Sequence, residues 1–293
     1  MTTARLLHVD SFASAPFTGN PAAVLVLDRE PGDEFGARAG AELNQPATAV
    51  VWPAGEPGRF GLRWFTASHE LVLCGHGTLA AARVLLDSGA AEAGTVRFET
   101  RSGTLEARAM GEWVQLRLPS LPPQPLVDAA AADESPGEAA PGEAVLGEAV
   151  HHLLPVPVSA VLRNELDVLA VLGSAAEVRS AQPDLAALRR LPVRGLIITA
   201  PGPAGTGPDG AGAADFVSRF FAPATGIDED AVTGSAHCAL APYWIGRLGR
   251  QPLLGHQLSA RGGVLQVALD GDSVLLAGPA LVLSEGSWQG PAG

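Results

Sequence analysis

The chain has 293 residues, enough for one large domain or two of ordinary size, and 47% hydrophobic against 17% charged residues describes a globular protein with a full core. A formal charge of −12 argues against nucleic acid, whose phosphates need basic surface, and the lack of any lysine excludes a pyridoxal phosphate Schiff base and a P-loop. Two cysteines, Cys74 and Cys238, are too few for a disulfide framework or a zinc ribbon. The opening MTTARLLHVDSF lacks a signal-peptide apolar core and no apolar run reaches membrane-spanning length, so the expectation is a soluble, cytoplasmic protein without membrane partners.

Taken in chain order, the first half reads as short strands with tight turns: RLLHVDSF, AAVLVLD, TAVVWPA, GRFGLRWFTA and HELVLC. Leu62, Trp64 and the alternation through Phe65 fit a sheet rather than a helix. Cys74-Gly75-His76-Gly77 then turns through small residues into an amphipathic helix at about 75–88, closed by Gly89. Strands resume in GTVRFETRSG and LEARAMGEWVQLRLP, which leaves through the proline-rich PSLPPQP. Residues 126–148 are of low complexity, with GEA occurring three times, and predict a linker running into a short helix.

The second half repeats this logic, with PVSAVLRN and VRGLIITA as strands and PDLAALRRL as a helix. The glycine- and proline-rich APGPAGTGPDGAGAAD reads as a mobile loop before FVSRFFAP, and another helix follows Gly234. The end of the chain predicts hairpins with DGD as a turn. This order predicts an α+β protein of two similar halves, 1–125 and 149–293, joined by 126–148, with a cleft between them. Gly75-His76-Gly77 and Gly234-Ser235-Ala236 look like one turn built twice. A helix start offers unpaired N–H groups and the positive end of the dipole, and two facing starts make an anion cradle suited to chemistry beside a carboxylate.

The segments VDSFASAPFTGNPAAVLVL (9–27), RWFTASHELVLCGHGTLAAARVL (63–85), TRSGTL (100–105), DFVSRFFAPATGIDEDAVTGSAHCALAPYW (215–244) and SARGGVLQV (259–267) resemble the phenazine-biosynthesis PhzF-like family. The fold that this resemblance implies is that of diaminopimelate epimerase, each half a curved sheet around a central helix. The activity it implies is isomerisation without a cofactor, in which a proton leaves one carbon of a small-molecule carboxylate and returns to another. The family's type reaction shifts a double bond in dihydro-hydroxyanthranilate, and related members build 4-alkylproline units of antibiotics, which places the chain in secondary metabolism. A homodimer is common in the family. Its usual pattern of asparagine, two variable residues, glutamate and threonine reads Asn44-Gln45-Pro46-Ala47-Thr48 here. Ala47 stands where the acid/base carboxylate is expected, so the type mechanism cannot run unchanged.

His76 matches the family's active-site histidine; it either bonds substrate and shuttles a proton or only satisfies the helix start. Asp230 matches the aspartate before TGSA, with a role in holding or protonating substrate set against simple capping. Gly75, Gly77, Gly234 and Ser235 supply donors to a carboxylate or oxyanion, and the absence of GxSxG around Ser235 disfavours a serine hydrolase. Cys74 is a substitute base, because a thiol of pKa about 8.5 can fall toward neutrality at a helix start. In related epimerases the opposed base lies where this chain has Thr233. Cys74 also fits a small buried residue. Asn20 in GNPAAV shapes a turn and touches substrate. Glu42 and Glu70 are the nearest other carboxylates, while His237 and Cys238 fall on a helix face that equally suits the core. His69-Glu70 lacks the H-E-x-x-H spacing and no cysteine/histidine cluster occurs, so neither metal nor other cofactor is expected. Alternatives to the isomerase are a catalytically silent carboxylate binder and a Cys74-dependent epimerase or dehydratase.

Overall fold

The computed structural model describes residues 2–126, 141–203 and 213–290. The first half runs β1 (Thr2–Ser11), β2 (Asn20–Val26), α1 (Asp33–Leu43), β3 (Ala47–Pro53), β4 (Arg59–Phe65), β5 (Glu70–Leu71), α2 (Gly75–Asp87), β6 (Thr95–Thr100), β7 (Gly103–Met110) and β8 (Trp113–Pro119). β9 (Gln124–Pro125) and α3 (Pro141–Leu153) lead across to β10 (Ala160–Arg163), β11 (Asp167–Val171), α4 (Ala175–Ser180), α5 (Leu185–Leu188) and β12 (Gly195–Pro201). β13 (Phe216–Ala222), β14 (Ile227–Asp230), α6 (Gly234–Leu248), β15 (Leu253–Gln257), β16 (Gly263–Asp270) and β17 (Ser273–Gly290) complete the chain.

Strand senses repeat between the halves. β1–β2 is antiparallel, β2–β3 parallel, β3–β4 antiparallel, β4–β6 parallel, and β6–β7–β8 antiparallel. β10, β11, β12, β13, β15, β16 and β17 pair with the same senses in the same order. Each half is closed by chain from the other. Ser273–Pro279 of β17 pairs with β8, and the rest of β17, from Ala280, pairs with β1. Reciprocally, Gln124–Pro125 pairs with β10.

Strands β2, β3, β11 and β12 are apolar on both faces because both faces are covered, whereas β7 and β8 alternate buried with more exposed residues. In β11, Leu169 and Val171 belong to the core that also holds α6 residues Ala239 and Leu240. Val168 and Ala170 point the other way, into a core with Leu146 and Val150 of α3, Val178 of α4 and Leu188 of α5. α2 is buried along nearly all its length, which explains a sequence, GHGTLAAARVLLD, that is apolar on most sides.

Helix α1 departs from the sequence reading, which places only strands and turns there. Its glycines argue against a helix by propensity, but they let it press on the sheet: a Cβ at Gly36 would lie 2.1 Å from Phe65 Cζ. α4 is likewise unforeseen, and its N-cap Ser174 accepts from Glu177 N. HELVLC is a strand only over Glu70–Leu71, since the chain then turns into α2. Of the expected linker and mobile loop, residues 127–140 and 204–212 lie outside the described residues. Among the described residues no helix is long and apolar enough to cross a membrane.

Candidate active site

The starts of α2 and α6 meet. A Cβ at Gly75 would lie 3.2 Å from Gly234 Cα, and a Cβ at Gly234 would lie 3.2 Å from Gly75 Cα, so the backbones approach as closely as only glycine comfortably allows. The residues before them, Cys74 and Thr233, are extended (φ −143° and −115°), and neither side chain caps its helix. Intrahelical bonding begins with Thr78 N donating to Cys74 O at 3.0 Å and His237 N to Thr233 O at 3.4 Å. The amides before these have no intrahelical acceptor, and their partial positive charges converge at the junction. Gly75 and Ser235 are half-buried, so the junction is open to solvent there, while His76, Gly77 and Gly234 are buried.

Asp230, the last residue of β14, is brought to this junction by its neighbours. Its Oδ1 accepts from Asn20 Nδ2 at 2.8 Å and its Oδ2 from the Thr233 hydroxyl at 2.6 Å. Gln257 Nε2 donates to Asp230 O at 2.8 Å, and Gln257 Oε1 accepts from Thr233 N at 2.9 Å. The carboxylate takes no amide of α6, so the capping arrangement is not the one adopted. Asn20 comes from the first half and also donates to Val232 O at 2.8 Å, which makes the carboxylate a joint product of both halves. Asn20 Oδ1 is fully buried and has no donor among the described residues.

His76 is held at its carbonyl by Ser11 Oγ, 2.7 Å away. Its ring lies against the Cys74 sulfur, with Nδ1 at 3.5 Å and Nε2 at 3.8 Å. Burial pushes the imidazole below its ordinary value of 6.5, while the charge of Asp230 pulls the other way. The result is a neutral imidazole at neutral pH, able to accept a proton. Cys74 does not behave as the helix start alone suggests. Burial pushes its thiol up to about 12, the Gly77 amide opposes this, and the charge of Asp230 adds to it. Desolvation outweighs the helix dipole, so the sulfur stays protonated at pH 7.

Ala47 opens β3 and is fully buried. Its Cβ is 3.5 Å from the place a Cβ on Gly77 would take, with Cys74 Sγ at 3.1 Å and Trp64 Cδ1 at 2.9 Å from that same place. The methyl group therefore flanks the start of α2 and contributes no proton-carrying atom. Beside it the Trp64 indole N–H is buried without an acceptor among the described residues. Glu42 is exposed on α1 and Glu70 is held by Arg63 and Arg101, the Arg63 bond lowering its carboxyl, so neither replaces a carboxylate at position 47. His69 is exposed and bonds the hydroxyls of Thr66 and Ser68. His237 and Cys238 belong to the core: burial pushes His237 down to about 4 and Cys238 up to about 12. Among the described residues no group of three or more His, Cys, Asp or Glu is placed to hold a metal. The sequence analysis does not single out Gln257 and Ser11; both are buried polar residues at the ends of β15 and β1.

The family model described as phenazine biosynthesis-like protein, PhzC-PhzF, matches residues 9–286. The chain is 42% identical over 279 residues to an uncharacterized isomerase of Pseudomonas aeruginosa, covering 95% of this chain and 96% of that one. It is similar to the crystal structure of a PhzF-family phenazine biosynthesis protein from Enterococcus faecalis, with a TM-score of 0.83, 32% identity, and 98% and 99% of the two chains covered. A putative PhzC/PhzF protein from Clostridium difficile gives a TM-score of 0.81 at 35% identity, again over 98% and 99% of the chains.

Proposed function

The chain belongs to the phenazine biosynthesis-like (PhzC-PhzF) family, with its epimerase-like α+β fold, and from that premise we propose that it is a cofactor-independent isomerase of secondary metabolism. It moves a proton and a double bond within a small cyclic or conjugated amino or carboxylic acid. The observation that carries this reading is the Asp230 carboxylate, fixed by Asn20 and Thr233 beside two abutting helix starts.

The substrate carboxylate lies at the free amides of Gly75, His76, Gly234 and Ser235, with the Ser235 hydroxyl as a further donor. Asp230 takes the proton from the neighbouring carbon. The electron pair left behind delocalises toward the carboxylate, where the same amides stabilise the developing negative charge. The proton returns at the far end of the conjugated system, from Asp230 directly or through the neutral His76 ring, and the double bond has moved with no net change in protons or electrons. Cys74, protonated at neutral pH, is not the base. A dihydroaromatic or pyrroline-type acid has an acidified C–H, which suits a site with alanine at position 47. The reading includes a cytoplasmic homodimer, which light scattering tests.

Incubation with such acids in D₂O, followed by proton NMR, tests the proposal: deuterium enters carbon, and Asp230→Asn and His76→Ala each reduce the rate sharply. Full activity in both variants refutes it. The buried Ala47 and the Trp64 N–H, without an acceptor among the described residues, favour one second reading, a silent binder of small carboxylates. On that reading the natural protein binds without exchange and Ala47→Glu restores exchange.

A further inference from the structure

Arg261, between β15 and β16, takes no part in the chemistry above, yet it grips the loop that delivers Asn20. Its Nε donates to Gly19 O at 2.8 Å and its Nη2 to Thr18 O at 2.9 Å, and Nη2 lies 2.9 Å from Asp10 Oδ2. Gly19 N returns a bond to Gly262 O at 2.7 Å, and Val264 N donates to Phe12 O at 3.1 Å. Residues of the second half thus hold the β1–β2 loop of the first from several sides.

That loop has a conformation it does not favour by itself. Phe12, Phe17 and Gly19 have φ of 61°, 71° and 71°, in the left-handed region that bulky side chains avoid. Phe17 is 84% exposed, so burial does not offset its strain. At Gly19 a Cβ would lie 2.3 Å from Ser11 O, which leaves room for glycine alone. Asp10, 1% exposed, is the countercharge of the guanidinium. A strained loop with an external clamp has one well-defined product here, the placement of Asn20 Nδ2 between Asp230 Oδ1 and Val232 O.

We propose that Arg261 is a positioning residue of the active site: by holding the carbonyls of Thr18 and Gly19 it keeps Asn20 on Asp230 and so aims the carboxylate at the substrate. This rests on Asp230 as the proton-transfer group. Misplacing a reacting group by about 1 Å costs on the order of a hundredfold in rate, and a loosened clamp lets Asp230 shift with Asn20.

The test compares Arg261→Gln and Arg261→Lys with the natural protein by deuterium incorporation into substrate, by amide hydrogen exchange along the chain, and by the NMR signal of the Asn20 side-chain amide. Arg261→Gln is expected to lower kcat roughly ten- to a hundredfold with little change in KM. It also loses amide protection around residues 18–20, keeps it in α2 and α6, and shifts the Asn20 signal. Arg261→Lys, which retains a charge for Asp10, recovers part of each effect and serves alone if the glutamine variant does not fold. Unchanged turnover with an unchanged Asn20 signal overturns the proposal, and so does protection lost equally in α2 and α6. If the natural protein exchanges no substrate proton, the Asn20 signal and the local protection still decide the clamp, and the missing exchange counts only against the proton-transfer reading.

Discussion

His237 provides the sharpest test of how this interior is built. Its ring lies in the core with Nδ1 2.8 Å from Thr233 O, and burial pushes it from an ordinary 6.5 to about 4. Between those values the unfolded chain binds a proton that the folded chain refuses, so stability falls as pH drops through that window. At roughly 1.36 kcal/mol per pH unit the loss is about 3 kcal/mol, complete near pH 4 and absent above 6.5. His237→Gln removes the titration. The substitution itself costs about 1–3 kcal/mol through the lost bond, so the comparison uses the slope with pH and not the level. Denaturant unfolding of both proteins across the window is expected to show a flatter slope in the variant. His76, also pushed down by burial, acts in the same direction in both proteins and cancels. Equal slopes would refute a neutral, buried His237.

Asp230→Asn keeps the shape of the side chain but cannot take a proton, and deuterium incorporation is expected to fall by about 10²–10⁴-fold; a rate within a few-fold of natural would remove Asp230 from the chemistry. Both free cysteines are buried and pushed up to about 12, so a disulfide reagent at neutral pH titrates neither in the native protein and both in denaturant. Gly75→Ala places a Cβ 3.2 Å from Gly234 Cα, and thermal unfolding is expected to report a loss of about 1–3 kcal/mol together with weaker carboxylate binding.

The paired glycine turns were legible because close backbone approach leaves a signature that local sequence carries. The partners of Asp230 were not: Asn20 is 210 residues away, and the β1–β2 pairing, in which it faces Ser11, brings it back to the second half. Cys74 illustrates a different limit. A helix start lowers a thiol pKa and a buried position raises it, and only the three-dimensional burial says which wins. α1 escaped notice because its glycines, poor for an isolated helix, are what its packing on Phe65 requires.

The internal repeat bears on whether the proposed chemistry is one-sided. Arg63 pairs with Glu70 and stacks over Phe65, while Arg219 pairs with Glu229 and stacks over Phe221. Trp64 pairs with Leu71 in the first half and Phe220 with Asp230 in the second, so Leu71 and Asp230 are equivalent positions. From there the halves match residue for residue: Cys74 with Thr233, Gly75 with Gly234, His76 with Ser235. The scaffold is kept twice, but the carboxylate occurs only on one side and the histidine only on the other. A racemase needs a base and an acid on opposite faces of one carbon; at these equivalent positions one half has the Asp230 carboxylate and the other has Leu71. The protein is therefore expected to move a proton between two carbons without inverting either, so a chiral amino acid offered as a pure enantiomer keeps its configuration while a conjugated acid exchanges. Chiral chromatography of the recovered amino acid decides it, and racemisation at a rate matching double-bond migration would mean that Thr233 or the buried Cys74 carries protons after all.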